Sequence, residues 1–135
     1  MKSKVERIID ANINRAVEGL RVMEEVARFV VEAKKMTEQL KKMRSRVRKL
    51  AKQFAGIKQR KALTDVGNKL YTKSEKKRKT IKDVVVANAK RVQEALRVLE
   101  EFSKLIKPSL GKSFKTIRFK VYDLEQKIYQ ALTAI

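Results

Sequence analysis

The chain has 135 residues, a formal charge of +20, one proline, four glycines and neither cysteine nor histidine. That length is one domain's worth of core, and a composition poor in turn residues points to an all-α fold. Without cysteine or histidine, disulfides, the usual zinc ligand sets and imidazole or thiol catalysis are excluded. A general base must then be Asp, Glu, Lys or Tyr.

In chain order, Ser3-x-x-Glu6 has capping-box spacing and opens a first helix expected to run to about Lys34. A second is expected from about Thr37 to just before Gly56, a residue suited to a helix C-terminus. Residues 57–79 form one long connection, and loops of that length in compact domains are usually functional or mobile. Thr80-x-x-Asp83 caps a third helix reaching about Ile106, and Pro108 with Gly111 makes a short break. The fourth helix is expected from about Lys112 to near the C-terminus, with Phe114, Ile117, Val121, Leu124 and Ile128 at helical spacing. No stretch approaches the ~20 apolar residues of a membrane span, and no signal-peptide pattern follows Met1, so a cytoplasmic protein is expected.

The chain repeats itself. A shift of 76 lays Ala11, Asn12, Arg15, Glu18, Leu20, Arg21, Val22, Glu24 and Glu25 on Ala87, Asn88, Arg91, Glu94, Leu96, Arg97, Val98, Glu100 and Glu101. A slightly different shift lays Leu40, Met43, Arg44, Val47 and Leu50 on Phe114, Ile117, Arg118, Val121 and Leu124. The repeated unit is a helical hairpin, and internal repeats govern how the whole fold is read. One domain over residues 1–135 is expected, with repeat A at about 3–56, the connection at 57–79 and repeat B at about 80–135. Two such hairpins bury their apolar faces as a four-helix bundle.

On a wheel of ~100° per residue, Asp10, Asn14, Arg21, Glu24, Glu25 and Arg28 gather on one side of the first helix, most simply a solvated face. Asn12, Arg15 and Gly19 instead fall on the apolar side, and Asn88, Arg91 and Ala95 repeat that strip. A buried guanidinium needs an anion. Either Arg15 and Arg91 pair with Glu18, Glu94 or another carboxylate across the bundle and set its register, or the Asn–Arg pairs line a central cavity. In the second case Arg clamps a phosphate and Asn reads a polar ring edge. The connection holds Arg60, Asp65, Val66 and Gly67, read either as a solvated turn or as a flap carrying Asp65 to a metal or an acceptor hydroxyl. Gly111-Lys112-Ser113 lacks the earlier glycine and preceding strand of a phosphate-binding P-loop.

The strings RIIDANINRAVEGLRVMEEVARF at 7–29, ANAKRVQEALRVLEEFSKL at 87–105 and FKTIRFKVYDLEQ at 114–126 resemble the helical domain attached to the N-terminus of two-domain thiamine-phosphate synthases of cyanobacteria. Free-standing copies of that domain exist, and the resemblance covers nearly the whole chain. It implies an activity, phosphorylation of hydroxymethylpyrimidine phosphate to the pyrophosphate with ATP and Mg²⁺, and thiamine-phosphate synthase as a partner. It implies site roles for Asn12, Arg15, Glu18, Asn88, Arg91 and Glu94, and for Arg60, Asp65 and Gly67 of the connection. Relatives usually carry an acidic residue directly after that Arg, where this chain has Lys61. The synthase barrel is absent, so this chain alone is not expected to make thiamine phosphate.

On this reading Asp65, Glu18 and Glu94 are the catalytic candidates, and Asn12, Arg15, Asn88, Arg91 and Arg60 hold the small-molecule phosphate substrate; no metal ligand set is assigned. Two rival classes stand beside it. One is a non-catalytic helical module that binds a ligand or docks on the synthase. The other is a nucleic-acid-binding protein, suggested by basic runs at 41–61 and 73–79, although no binding motif or basic–aromatic interleaving accompanies them. A field this positive draws any anion, and Lys/Glu-rich surfaces are also common in proteins from hot environments. A homodimer is compatible with the bundle, but no exposed heptad seam calls for one.

Overall fold

A computed structural model describes residues 1–54, 67 and 77–135. Among these the chain is all-α. Helix α1 spans Lys2–Glu25, α2 Lys34–Ala51, α3 Ile81–Ser103 and α4 Pro108–Ala134. A π-helical segment, Val26–Val31, extends α1, and Glu32 then turns the chain at φ 56°, the left-handed region. The expected hairpins are present: α1 packs on α2, and α3 on α4. Helices α1 and α3, which carry the repeated motif, join the two hairpins, whereas α2 and α4 touch only sparingly. The core runs through all four helices, from Ile9, Leu20 and Met23 to Leu40, Val47, Leu96, Leu99, Phe114 and Ile128.

Several boundaries differ from the sequence expectation for local reasons. The Ser3–Glu6 capping box does not form: Met1 takes the N-cap position, and Glu6 lies buried against the core side of α1. Thr37 does not open α2, which starts three residues earlier; its hydroxyl donates back to the Ala33 carbonyl at 2.8 Å. Pro108 does not break the helix before α4 but begins it, at the first-turn position where a missing N–H costs nothing. Gly111 is inside α4, where a Cβ would stand 3.1 Å from the Glu100 carbonyl, so it is a close-approach residue and not a turn. The Thr80–Asp83 box is formed as expected, with each residue's side chain meeting the other's backbone N–H at 3.1 Å. Gly56 lies outside the described residues.

One contact sets the spacing of the two hairpins. A Cβ on Gly19 would come within 2.4 Å of Val92 Cγ2 and 3.2 Å of the Asn88 carbonyl. Val92 is fully buried and β-branched, so it has little freedom to yield. Gly19→Ala gains about 1 kcal/mol of helix propensity, but overpacking of this kind typically costs about 1–3 kcal/mol. Net destabilisation in chemical denaturation is expected, with recovery in Gly19→Ala/Val92→Ala; a Gly19→Ala protein as stable as the parent would refute the close approach. At the α3 cap, hydrogen bonds from the Lys79 and Thr80 N–H groups hold the Asp83 carboxyl below its ordinary value of 3.8. A lowered folded pKa means the cap's contribution is complete above 3.8 and is lost as pH falls through the folded value. Asp83→Asn should therefore flatten the acid limb of a pH–stability profile.

Candidate functional site

The repeated charges divide differently from the wheel. Arg21–Glu25 at 3.0 Å and Arg97–Glu101 at 3.4 Å are exposed (i, i+4) pairs, as expected. Glu24 and Glu100 are not solvated, which corrects the surface reading: they are 4% and 6% exposed. Each is bound by the arginine of its own hairpin, Arg44 at 3.1 Å and Arg118 at 3.1 Å. Arg44 spans both oxygens of Glu24, the fork geometry in which Arg–carboxylate pairs are strongest, whereas Arg118 donates from two nitrogens to the single oxygen Oε2 of Glu100. The wheel placed Glu24 correctly in angle, but α2 covers that angle.

Arg15 and Arg91 are corrected in the opposite direction. Both are exposed, and neither forms an ion pair with a described residue, so among the described residues they neither enter an enclosed central cavity nor lock the bundle. Their backbones border the apolar strip, and the long side chains carry the charge outward from it. Asn12 is buried, and its amide repeats a geometry seen at Asn88. The Nδ2 group donates to the carbonyl four residues back, Ile8 or Val84, at 2.8 Å in each case. With Nδ2 engaged, the amide offers its Oδ1 as an acceptor; in the first repeat Arg15 Nη1 reaches it at 3.5 Å. Such an acceptor suits a ring N–H or amino group.

Glu18 and Glu94 are also exposed, and neither is ion-paired with a described residue. The Gly19 contact sets the Glu18–Gly19 turn of α1 against the Asn88–Val92 turn of α3, so the two motif strips border one seam. Glu94 further lines a depression of about 390 Å³ between α3 and α4, with Lys90, Arg97, Arg118 and Tyr122 around it. That is within the range of small-ligand clefts. Lys90 and Tyr122 are not legible from the repeat, because neither recurs in the other copy. They stand where repeat A has Asn14 and Arg48, and departure from the repeat was the available signal. Arg60 and Asp65 lie outside the described residues, and Gly67 is an exposed turn position. Among the described residues no group of three metal-capable side chains converges. None of the described helices is long and apolar enough to cross a membrane.

The ThiD2 family model matches residues 7–127. The chain belongs to the ThiD2 family. Curated relatives that share the ThiD2 region include the thiamine-phosphate synthase of Nostoc punctiforme, 40% identical over 131 residues, covering 92% of this chain and 35% of the relative. That of Synechocystis is 40% identical over 127 residues, covering 90% and 35%. That of Prochlorococcus marinus is 42% identical over 135 residues, covering 95% and 36%. The chain thus spans about a third of the length of the curated relatives it matches. No solved structure matches it.

The geometry separates residues the fold needs from residues it does not. Arg15→Ala and Arg91→Ala should each change unfolding free energy by less than about 0.5 kcal/mol, as exposed substitutions do. Glu100→Ala should cost about 3 kcal/mol or more by stranding Arg118. Urea titration of the three variants checks the ordering, and a large loss in Arg91→Ala would return that residue to the scaffold.

Proposed function

We propose that the chain is a small-molecule phosphotransferase of thiamine biosynthesis that converts hydroxymethylpyrimidine phosphate to its diphosphate. Membership of the ThiD2 family over residues 7–127 is the observation that carries this reading. The exposed Arg15 and Arg91, kept at the same place in both repeats and forming no ion pair with a described residue, add to it as cations available to phosphate.

Phosphoryl transfer asks the protein for positioning and charge neutralisation more than for covalent chemistry. A phosphate oxygen of the acceptor attacks the γ-phosphorus of ATP, the bond to the β–γ bridging oxygen breaks, and ADP leaves. Arg15 and Arg91 hold phosphate oxygens, with Arg60 of the connection as a further clamp. The Oδ1 atoms of Asn12 and Asn88 accept from the pyrimidine's amino edge. Glu18, Glu94 or Asp65 orients the acceptor or contributes to a Mg²⁺ site. Mg²⁺ at such sites would take one or two carboxylates together with substrate phosphates and supply charge neutralisation, and Glu18 and Glu94, exposed and without an ion pair to a described residue, fit that need without a three-ligand cluster among the described residues.

The second reading is a non-catalytic module that docks on thiamine-phosphate synthase, favoured by the fact that relatives carry this region within longer synthase chains. One assay divides the two: purified protein, ATP, Mg²⁺ and the pyrimidine monophosphate, followed by phosphorus NMR. Turnover is expected, with Arg91→Ala lowering kcat/KM by about 10²-fold, as loss of one transition-state donor does. Absence of diphosphate at any temperature up to unfolding would overturn the phosphotransferase reading.

A further inference from the structure

Among the described residues the bundle is not closed on all sides. Because α2 and α4 meet only sparingly, a groove of about 590 Å³ lies between them. Three cations of α2, Lys42, Arg46 and Lys49, follow one another at spacings of four and three, so they share a helix face, and Lys120 faces them from α4. Arg46 and Lys120 occupy equivalent places in the two repeats, which therefore deliver a cation to each wall. None of the four is ion-paired with a described residue. The one carboxylate among the described residues at the rim, Asp123, is engaged by Lys127 at 2.9 Å. Buried Met43, Ile117 and Leu124 line the groove beneath them.

Four like charges around one concavity repel one another, and low-dielectric walls concentrate their field on whatever enters. The charges lie within two turns of α2 and one position of α4, so they converge on a spot instead of tracking along a backbone. Among the described residues no aromatic side chain lines the groove to stack a base, which is what single-stranded nucleic acid uses. At ~100° per residue, Lys120 and Leu124 leave α4 on nearly the opposite side from Arg118 and Tyr122, so this groove is separate from the depression that holds Glu94.

We propose that the α2–α4 groove is a binding site for a compact polyphosphate, gripped by Lys42, Arg46, Lys49 and Lys120. The phosphate chain is the recognised group, whether free or carried by a nucleoside, and the site stands independently of the transfer reaction proposed above. Calorimetric titration of the full chain with inorganic tripolyphosphate and, separately, with ATP tests it. Saturable binding of at least one is expected: tripolyphosphate binding identifies the bare chain as sufficient, and binding of ATP alone identifies the nucleotide as the source. Arg46→Ala and Lys120→Ala should each lower affinity about ten-fold, the scale of one lost charge-assisted contact. Lys41→Ala, which removes the same charge from α2 outside the groove, should stay within about two-fold, because an exposed charge beyond contact is largely screened. The proposal is overturned if neither polyphosphate binds saturably, or if Lys41→Ala loses as much as Arg46→Ala. It is equally overturned if only a single-stranded oligonucleotide binds and its affinity falls with the groove substitutions.

Discussion

The fold turns on one interaction made twice: a carboxylate near the end of each motif helix gripped by an arginine from the returning helix of the same hairpin. Glu24 with Arg44 and Glu100 with Arg118 are removed from water almost completely on the acid side. A buried pair of this kind adds little net stability compared with an apolar replacement, but leaving either partner alone is costly. Its value is therefore positional. Helix α2 presents few apolar side chains, namely Leu40, Met43, Val47, Leu50 and Ala51 on its buried face, and such a stripe can slide by a turn with modest loss. The ion pair gives that stripe a single register.

Between the hairpins the determining feature is the reverse, an absence of side chain. Gly19 lets α1 sit directly on Val92 and the Asn88 backbone, and Gly111 allows a similar approach of α4 to the Glu100 carbonyl. Close backbones at the motif helices, with looser packing where α2 and α4 face each other, leave the bundle tight along one side and open along the other. The two motif strips border the tight side, and the cationic groove lies on the open one.

The all-α duplicated hairpin was legible in the sequence because a repeat of this quality constrains both helices at once. Periodicity then placed Phe114, Val121 and Ile128 on one face of the last helix, where they are fully buried. What periodicity lacks is the direction of the neighbours. A wheel drawn for α1 alone cannot tell that a mostly polar α2 lies over Glu24, so a buried carboxylate was read as solvated. It also treated Arg15 as a point at its Cα angle, whereas a side chain of that length leaves the strip its backbone borders. The correcting signal was present in Arg44 and Arg118, a basic residue that recurs among otherwise apolar matches. Pro108 and Gly111 failed for another reason: both are taken as helix breakers, and only the packing of α4 reveals that one starts the helix and the other lets it approach α3.

The π-helical segment at Val26–Val31 has a genealogical consequence. Glu24 and Arg44 are separated by 20 residues, whereas Glu100 and Arg118 are separated by 18, yet a buried Glu–Arg pair forms in both. The two repeats thus differ by two residues in spacing, and the difference falls in the joint between their helices. In repeat A that joint contains a widened helical turn and the left-handed Glu32; repeat B passes from Ser103 to Pro108 without either. The joint is the place where the length of this unit can drift through descent, while the ion pairs on either side hold the ancestral alignment.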